Sequence, residues 1–391
     1  MDALRLALDV PEAERPALRY AAEELVRPLG LRISDDPDAP RLGTEAEDVD
    51  LLREGFAWLS GARERDLPRD RWGRVSFESM PEGNPLATPV DDLRDVVAQR
   101  LASRGLTARA TRWDGHEWAV CLTHDLDALR TRRLRVFVGD AVRGRPRRGL
   151  QRAVGPDDRL RTAHSLAALA ERHGARATFF AKAGTSGPED VPARPERHRA
   201  WFRALREAGH EVGLHPSMEA ATDPPRLGAE ADRLTSVLGE RPRLVRSHFL
   251  RWDERVTPAI YAAAGFEADS TLGWSSTPGF RRGTAHPFRL WDTEAGAPSS
   301  LWEVPLAVMD TTLFAHQRLS DAAAADALRE VFAAARRTRG VAVVLWHNAM
   351  DGDPAWWRRL GVLDRAITEA REDGAALLPL TEAVAMGQAT S

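Results

Sequence analysis

The stretch WAVCLTHDLD, Trp118 to Asp127, sets the terms of the fold. Ala119-Val120-Cys121-Leu122-Thr123 is an apolar run of strand length and predicts a buried strand. It runs directly into Asp125 and Asp127. Two carboxylates two residues apart repel each other when both aim at one point, and a nearby cation is the simplest way to keep both ionised. One can then ligate a metal while the other takes a proton. The plainer reading is a turn whose Asp side chains cap local amides.

Downstream, short apolar runs alternate with amphipathic stretches. Strands are predicted at 175–180, 211–214, 243–245, 302–308, 341–345 and 375–380. Helices are predicted at 157–173, 196–208, 226–238, 254–264, 320–337 and 354–371, and the stretch 275–300 is less regular. Such alternation argues for a parallel sheet. About seven strand and helix pairs in ~270 residues favour closure into a deformed (β/α)7-8 barrel. Upstream, the chain is polar and proline-interrupted, with helical periodicity in 16–29 and 90–104, a turn-rich 34–49 and a loop-like 66–84. The expected division is an accessory region at 1–112, small, mixed α/β and of unread role, and a barrel at 113–391.

With 391 residues, 43% of them hydrophobic, the chain has ample material for a core, and disordered or fibrous classes are excluded. A net charge of −3 draws it to neither nucleic acid nor an anionic membrane. Cys121 is the only cysteine, so no disulfide framework or cysteine-based zinc cluster is available, and any metal must use His and carboxylates. Residues 1–10 lack the basic and apolar regions of an export signal, and no stretch is apolar for the length of a membrane span. A cytoplasmic protein is expected. Lys182 is the only lysine, so arginine abundance reads as compositional bias. The segment 130–152 holds nine arginines against Asp140; it reads as a solvated loop, with a cradle for an anionic substrate group as the sharper alternative. No GxGxxG or phosphate-cradling loop and no internal repeat appear.

Four more predicted strand ends carry polar groups where parallel α/β folds place their sites. His215 ends Gly213-Leu214-His215-Pro216-Ser217 and is placed to be a neutral imidazole ligand, whereas His210 starts that strand on the opposite rim. In Arg246-Ser247-His248, the first can hold a carboxylate and the third a metal, since residues two apart project to one side. His347, in Leu345-Trp346-His347-Asn348, suits a general acid or base. Glu303, with Met309-Asp310, adds a carboxylate to orient His347 or pair with an arginine. Gly279-Phe280-Arg281-Arg282-Gly283 looks like a loop presenting Arg281. The set suits metal-assisted hydrolysis, with Asp125 taking a proton from water and His347 protonating the leaving group.

These motifs, in order, resemble the NodB-type polysaccharide deacetylases, the carbohydrate esterase family 4 superfamily. More narrowly they look like a divergent bacterial branch with the phrases at 213–217, 246–251, 269–273, 279–283 and 345–348. The resemblance covers about 118–380. It implies a deformed (β/α) barrel and a metal that is usually Zn2+, with Ni2+, Co2+ or Mn2+ as other divalent choices. It also implies Asp125 as base, Asp127 and His215 as ligands, Arg246 tuning the base and His347 as acid. One position departs: where the second motif usually carries another His, four residues after the first, this chain has Glu219. Either Glu219 substitutes, or His248 completes the triad; His248 is favoured, since His is a ligand type such sites use.

The expected activity is removal of an acetyl or other acyl group from an N-acylated sugar or related small molecule, without nucleic acid or membrane as partner. Trp252, Trp274 and Trp346 lie near the motifs and are placed in sequence to stack on a sugar ring. Competing readings are a non-catalytic carbohydrate-binding protein with a decayed site, and a metal-dependent phosphoesterase. The sequence does not choose an oligomeric state.

Overall fold

The structure, a computed structural model, describes residues 2–81, 83–108, 110–129, 133–147, 149–150, 158–184, 190, 193–348 and 355–388. Three short parallel strands open the chain, β1 (Asp2–Leu6), β2 (Leu31–Ser34) and β3 (Arg41–Leu42), in the order β2-β1-β3. Helices α1 (Arg15–Val26), α2 (Ala46–Leu59) and α3 (Pro89–Ala102) accompany them. The stretch 34–49, expected as turns, therefore already holds β3 and the first turn of α2, whose Val49, Leu51 and Leu52 are buried.

Among the described residues, the second sheet has ten strands. Its members are β4 (Trp118–Leu126), β5 (Thr178–Lys182), β6 (Glu211–His215), β7 (Leu244–Val245), β8 (Ala268–Asp269), β9 (Phe288–Asp292), β10 (Ala297–Glu303), β11 (Leu306–Met309), β12 (Val341–Leu345) and β13 (Ala375–Leu377). The order is β11-β12-β4-β5-β6-β7-β8-β10-β9, with β13 beside the start of β4, and all pairings are parallel except β9 with β10. Around it run α4 (Arg133–Val142), α5 (Asp158–Arg172), α6 (Arg199–Glu207), α7 (Pro224–Leu238), α8 (Thr257–Ala263), α9 (Asp321–Arg337), α10 (Ala355–Glu372) and α11 (Leu380–Gln388). None is long and apolar enough to cross a membrane.

The expected strand over 302–308 is in fact two. Glu303 pairs with β8 and Leu306 with β12, so one passage of chain leaves one edge of the sheet and joins the other, curling it into a deformed barrel. Pro305 lies at the switch, where a residue without an N–H forfeits no ladder bond. Strand alternation sorts the apolar residues into two cores. Ala119, Cys121, Phe180, Leu244, Trp302, Val343 and Leu345 fill the barrel, closed below by Leu380, Ala383 and Val384 of α11. Val120, Leu122, Phe179, Leu214, Val245 and Val344 face the helices. Gly213 takes an inward position, where a Cβ would come within 2.8 Å of the Phe180 ring and of the Leu244 carbonyl.

The outer core is continuous with that of residues 1–112: Leu4, Leu25 and Leu52 belong to it along with Trp291 and Phe288. Tyr20 Oη donates to the Arg289 carbonyl at 2.6 Å, and Phe56 and Trp291 meet edge to face. The Gly279–Gly283 phrase is part of this seam. A Cβ on Gly279 would strike the Pro85 carbonyl, and the Phe280 N–H donates to that same carbonyl at 2.8 Å. Behind it, Arg281 and Arg282 are buried with Glu64 and Glu254, and Arg69 adds a third guanidinium to Glu254.

Removing one partner of a buried ion cluster leaves uncompensated charge away from water. Glu64→Ala is therefore expected to destabilise the protein by about 3–5 kcal/mol, read by denaturant unfolding. Residues 113–391 expressed alone should lose cooperative unfolding. A fully stable barrel fragment would show that the seam is dispensable.

Candidate active site and metal centre

Asp125 and Asp127 continue the inward phase of Ala119 and Cys121 on β4, at the end of the barrel where all its parallel strands finish. His124, of opposite phase, tilts against Phe179 with ring centres 4.8 Å apart, and its Nδ1 lies 2.9 Å from the Trp346 carbonyl. Burial pushes its pKa down to about 3, so it is a neutral core imidazole.

Asp127, His215 and His248 converge, one ligand atom from each lying within 4.8 Å of the others. His215 closes β6 and its Nδ1 donates to the Arg246 carbonyl at 2.7 Å, which turns Nε2 toward Asp127 Oδ1, 3.4 Å away. His248 Nε2 stands 3.4 Å from the same oxygen. Asp127 Oδ1 is buried and receives no hydrogen bond. A buried carboxylate oxygen without a donor, faced by two imidazole nitrogens, fits a divalent cation. Without one, burial works to lower the His248 pKa, but the neighbouring Asp127 and Asp190 carboxylates outweigh it and raise it. Proton and metal thus compete for one lone pair.

Asp125 lies between this cluster and His347. Its Oδ1 accepts from Arg246 Nη1 at 3.2 Å; its Oδ2 is 3.7 Å from His215 Nε2 and 4.0 Å from His347 Nε2. Arg246 is fully buried and also donates to Thr123 Oγ1, to the Ser270 carbonyl and to Ser270 Oγ. Asp310, just beyond β11, takes both the His347 backbone N–H, at 3.1 Å, and Nδ1, at 2.6 Å. Burial disfavours an imidazolium, but the Asp310 charge and hydrogen bond outweigh it and lift the His347 pKa to about 10. His347 is therefore protonated at neutral pH, with Nε2–H on the Asp125 side.

A crystal structure of a candidate polysaccharide deacetylase from Mycobacterium smegmatis superposes with a TM-score of 0.50, at 23% sequence identity over 72% of this chain and 94% of that one. The fold is that of the NodB-type polysaccharide deacetylases. A corresponding protein from Pseudomonas aeruginosa PAO1 gives 0.49 at 17% identity, over 73% and 96% of the two chains. An allantoinase gives 0.46 at 16%, over 70% and 90%. No protein-family profile matches the sequence, and no curated protein matches it.

On this NodB-type fold, several residues singled out in the sequence lie away from the cluster. Glu219, the alternative ligand, is ion-paired with Arg226 in a partly exposed position. Arg281, expected in a presented loop, is 1% exposed in the seam with Glu64 and Glu254. Trp252 and Trp346 are buried in the outer core; Trp346 shares the face of Ala342 and Val344, so strand alternation turns it from the barrel axis. Glu303 meets Asp269 instead of His347; burial and the Asp269 charge raise its pKa, and it accepts from the Leu272 N–H. The segment 130–152 is helical over Arg133–Val142 where a loop was expected. Arg130, Arg132, Arg148 and Arg152, which carry much of the anion-cradle reading, lie outside the described residues.

Two residues at the cluster were not singled out as site groups: Lys182, inward on β5 in phase with Phe180, and Asp190, paired with it and with His248 Nδ1. The period-2 phase from Phe180 would have pointed to Lys182.

Asp310→Asn should lower the His347 pKa from about 10 toward the ordinary ~6.5, read by ring NMR. Because the folded value lies above the unfolded one, the stability this pair contributes is fully present below pH ~6.5 and is lost as pH rises through about 10. An unchanged titration in Asp310→Asn would refute the assigned cause.

Proposed function

We propose that the protein is a metal-dependent hydrolase that removes an acetyl or other acyl group from an N-acylated sugar or related small molecule. The juxtaposition that supports this most is Asp125 Oδ2, 3.7 Å from His215 of the metal cluster on one side and 4.0 Å from protonated His347 on the other. A base and an acid then flank one reacting position, as amide hydrolysis requires.

Asp127, His215 and His248 would hold the cation, which when bound supplies Lewis acidity toward a carbonyl and toward water. Arg246 holds one Asp125 oxygen, and the other takes a proton from the attacking water. The water oxygen bonds to the acyl carbon and a tetrahedral intermediate forms. His347 Nε2–H protonates the departing nitrogen, the C–N bond breaks, and a carboxylic acid and a free amine leave. Asp310 holds Nδ1 throughout, so that the mobile proton is the one on Nε2.

Elemental analysis and acetate release from N-acetylated hexosamines test the division of labour. Asp125→Asn should keep metal and lose turnover by about 10²–10⁴-fold. Asp127→Ala and His215→Ala should lose the metal. A metal-free Asp125→Asn protein, or wild type that releases no acyl group from any N-acyl sugar, would count against the reading.

The ligand set has its own test. Near-stoichiometric zinc should be lost in His248→Ala and kept in Glu219→Ala. The reverse pattern would make Glu219 the ligand despite its pairing with Arg226.

A further inference from the structure

His248 reaches the cluster from an unusual support. It begins a single turn, His248–Leu250, in which Phe249 and Leu250 both have positive φ, 57° and 55°, a conformation costly for residues other than glycine. A side chain carried on such a turn is not aimed by regular secondary structure, so something else must fix its imidazole. Asp190 Oδ1 lies 2.7 Å from His248 Nδ1, and the Met218 N–H pins the other Asp190 oxygen at 3.0 Å. The Lys182 ammonium is ion-paired with Asp190 and lies beside the His248 ring, 2.9 Å from Nδ1 and 3.3 Å from Nε2; Lys182 and Asp190 side chains are each 2% exposed. A buried carboxylate and ammonium that neutralise one another beside a candidate ligand have no part in the proton transfers set out above.

We propose that Asp190 is a positioning residue for the metal site: it accepts the Nδ1 proton of His248 and so fixes the tautomer and ring orientation that present Nε2 to the cation. Lys182 compensates the Asp190 charge, leaving the pair neutral. Carboxylate partners of this kind orient metal-bound histidines and are worth 10–100-fold in metal affinity. The inference rests on the metal-dependent reading of the site and extends it to residues outside the ligand triad.

Co2+ titration of the metal-free full-length protein, followed by calorimetry and by the visible absorption of the bound ion, provides the test. Asp190→Asn should weaken Co2+ binding about 10–100-fold and alter the absorption band. In a His248→Ala background, the same substitution should change the residual affinity by less than about twofold, because the effect runs through that imidazole. An undiminished affinity in Asp190→Asn, or an equal loss in the His248→Ala background, overturns the inference. Should Asp190→Asn fail to fold because Lys182 is left unpaired, Lys182→Met/Asp190→Asn removes both charges and must show the same weakening. Wild type that binds no Co2+ overturns the metal-dependent reading itself, whereas normal binding in both Asp190 variants overturns only the positioning role.

Discussion

A guanidinium with no exposure to solvent must find acceptors inside the protein, and Arg246 finds them on two segments of the barrel that are not adjacent in the sheet. Thr123 and Asp125 of β4 take one nitrogen, and the carbonyl and hydroxyl of Ser270 take the other two. The Arg246 carbonyl in turn accepts from His215. Desolvating this cation is tolerable only with acceptors around it, and Asp125 supplies the carboxylate among them. The same residue thereby couples β4, β6, β7 and the segment after β8 at the end where the site is built.

Charge balance explains why this end of the barrel calls for a further cation. Asp125, Asp127, Asp190 and Asp310 face Arg246, Lys182 and protonated His347. Arg246 answers Asp125, Lys182 answers Asp190 and His347 answers Asp310. Asp127 is left with two imidazoles and an oxygen that no donor reaches. A divalent ion at that point would leave a site with a small net positive charge, suited to the anionic tetrahedral intermediate of the proposed hydrolysis.

Much of this was legible in the sequence, because the buried strands of a parallel barrel are short apolar runs and their C-terminal ends are polar for a reason. Asp125, Asp127, His215, Arg246 and His347 each follow such a run, and the structure brings them together with His248. What escaped was set by contacts distant in sequence. Gly279 to Gly283 reads as an exposed loop until Glu64 and Pro85 are known to lie against it. Asp190 sits in a stretch with no periodicity, and nothing local says that its partner is His248. The strands β8 and β9 fall where two-residue pairing or a weakly patterned run gives no signal.

Residues 1–112 belong to the argument about the site as well as to the core. Trp72, in the loop between α2 and α3, stacks on Phe249 at 5.5 Å with planes 17° apart, and Phe249 packs on His248 at 4.1 Å between ring centres. Phe249 is one of the two residues of that turn held at positive φ, a state that persists only where surrounding contacts over-determine it. Trp72 supplies one such contact from the N-terminal side, and the Asp190 and Lys182 pair fixes the imidazole from the barrel side. The turn that delivers His248 is thus clamped between the two parts of the chain. The region before the barrel, which carries no chemical motif of its own, helps to shape the proposed metal centre by holding the backbone that carries His248.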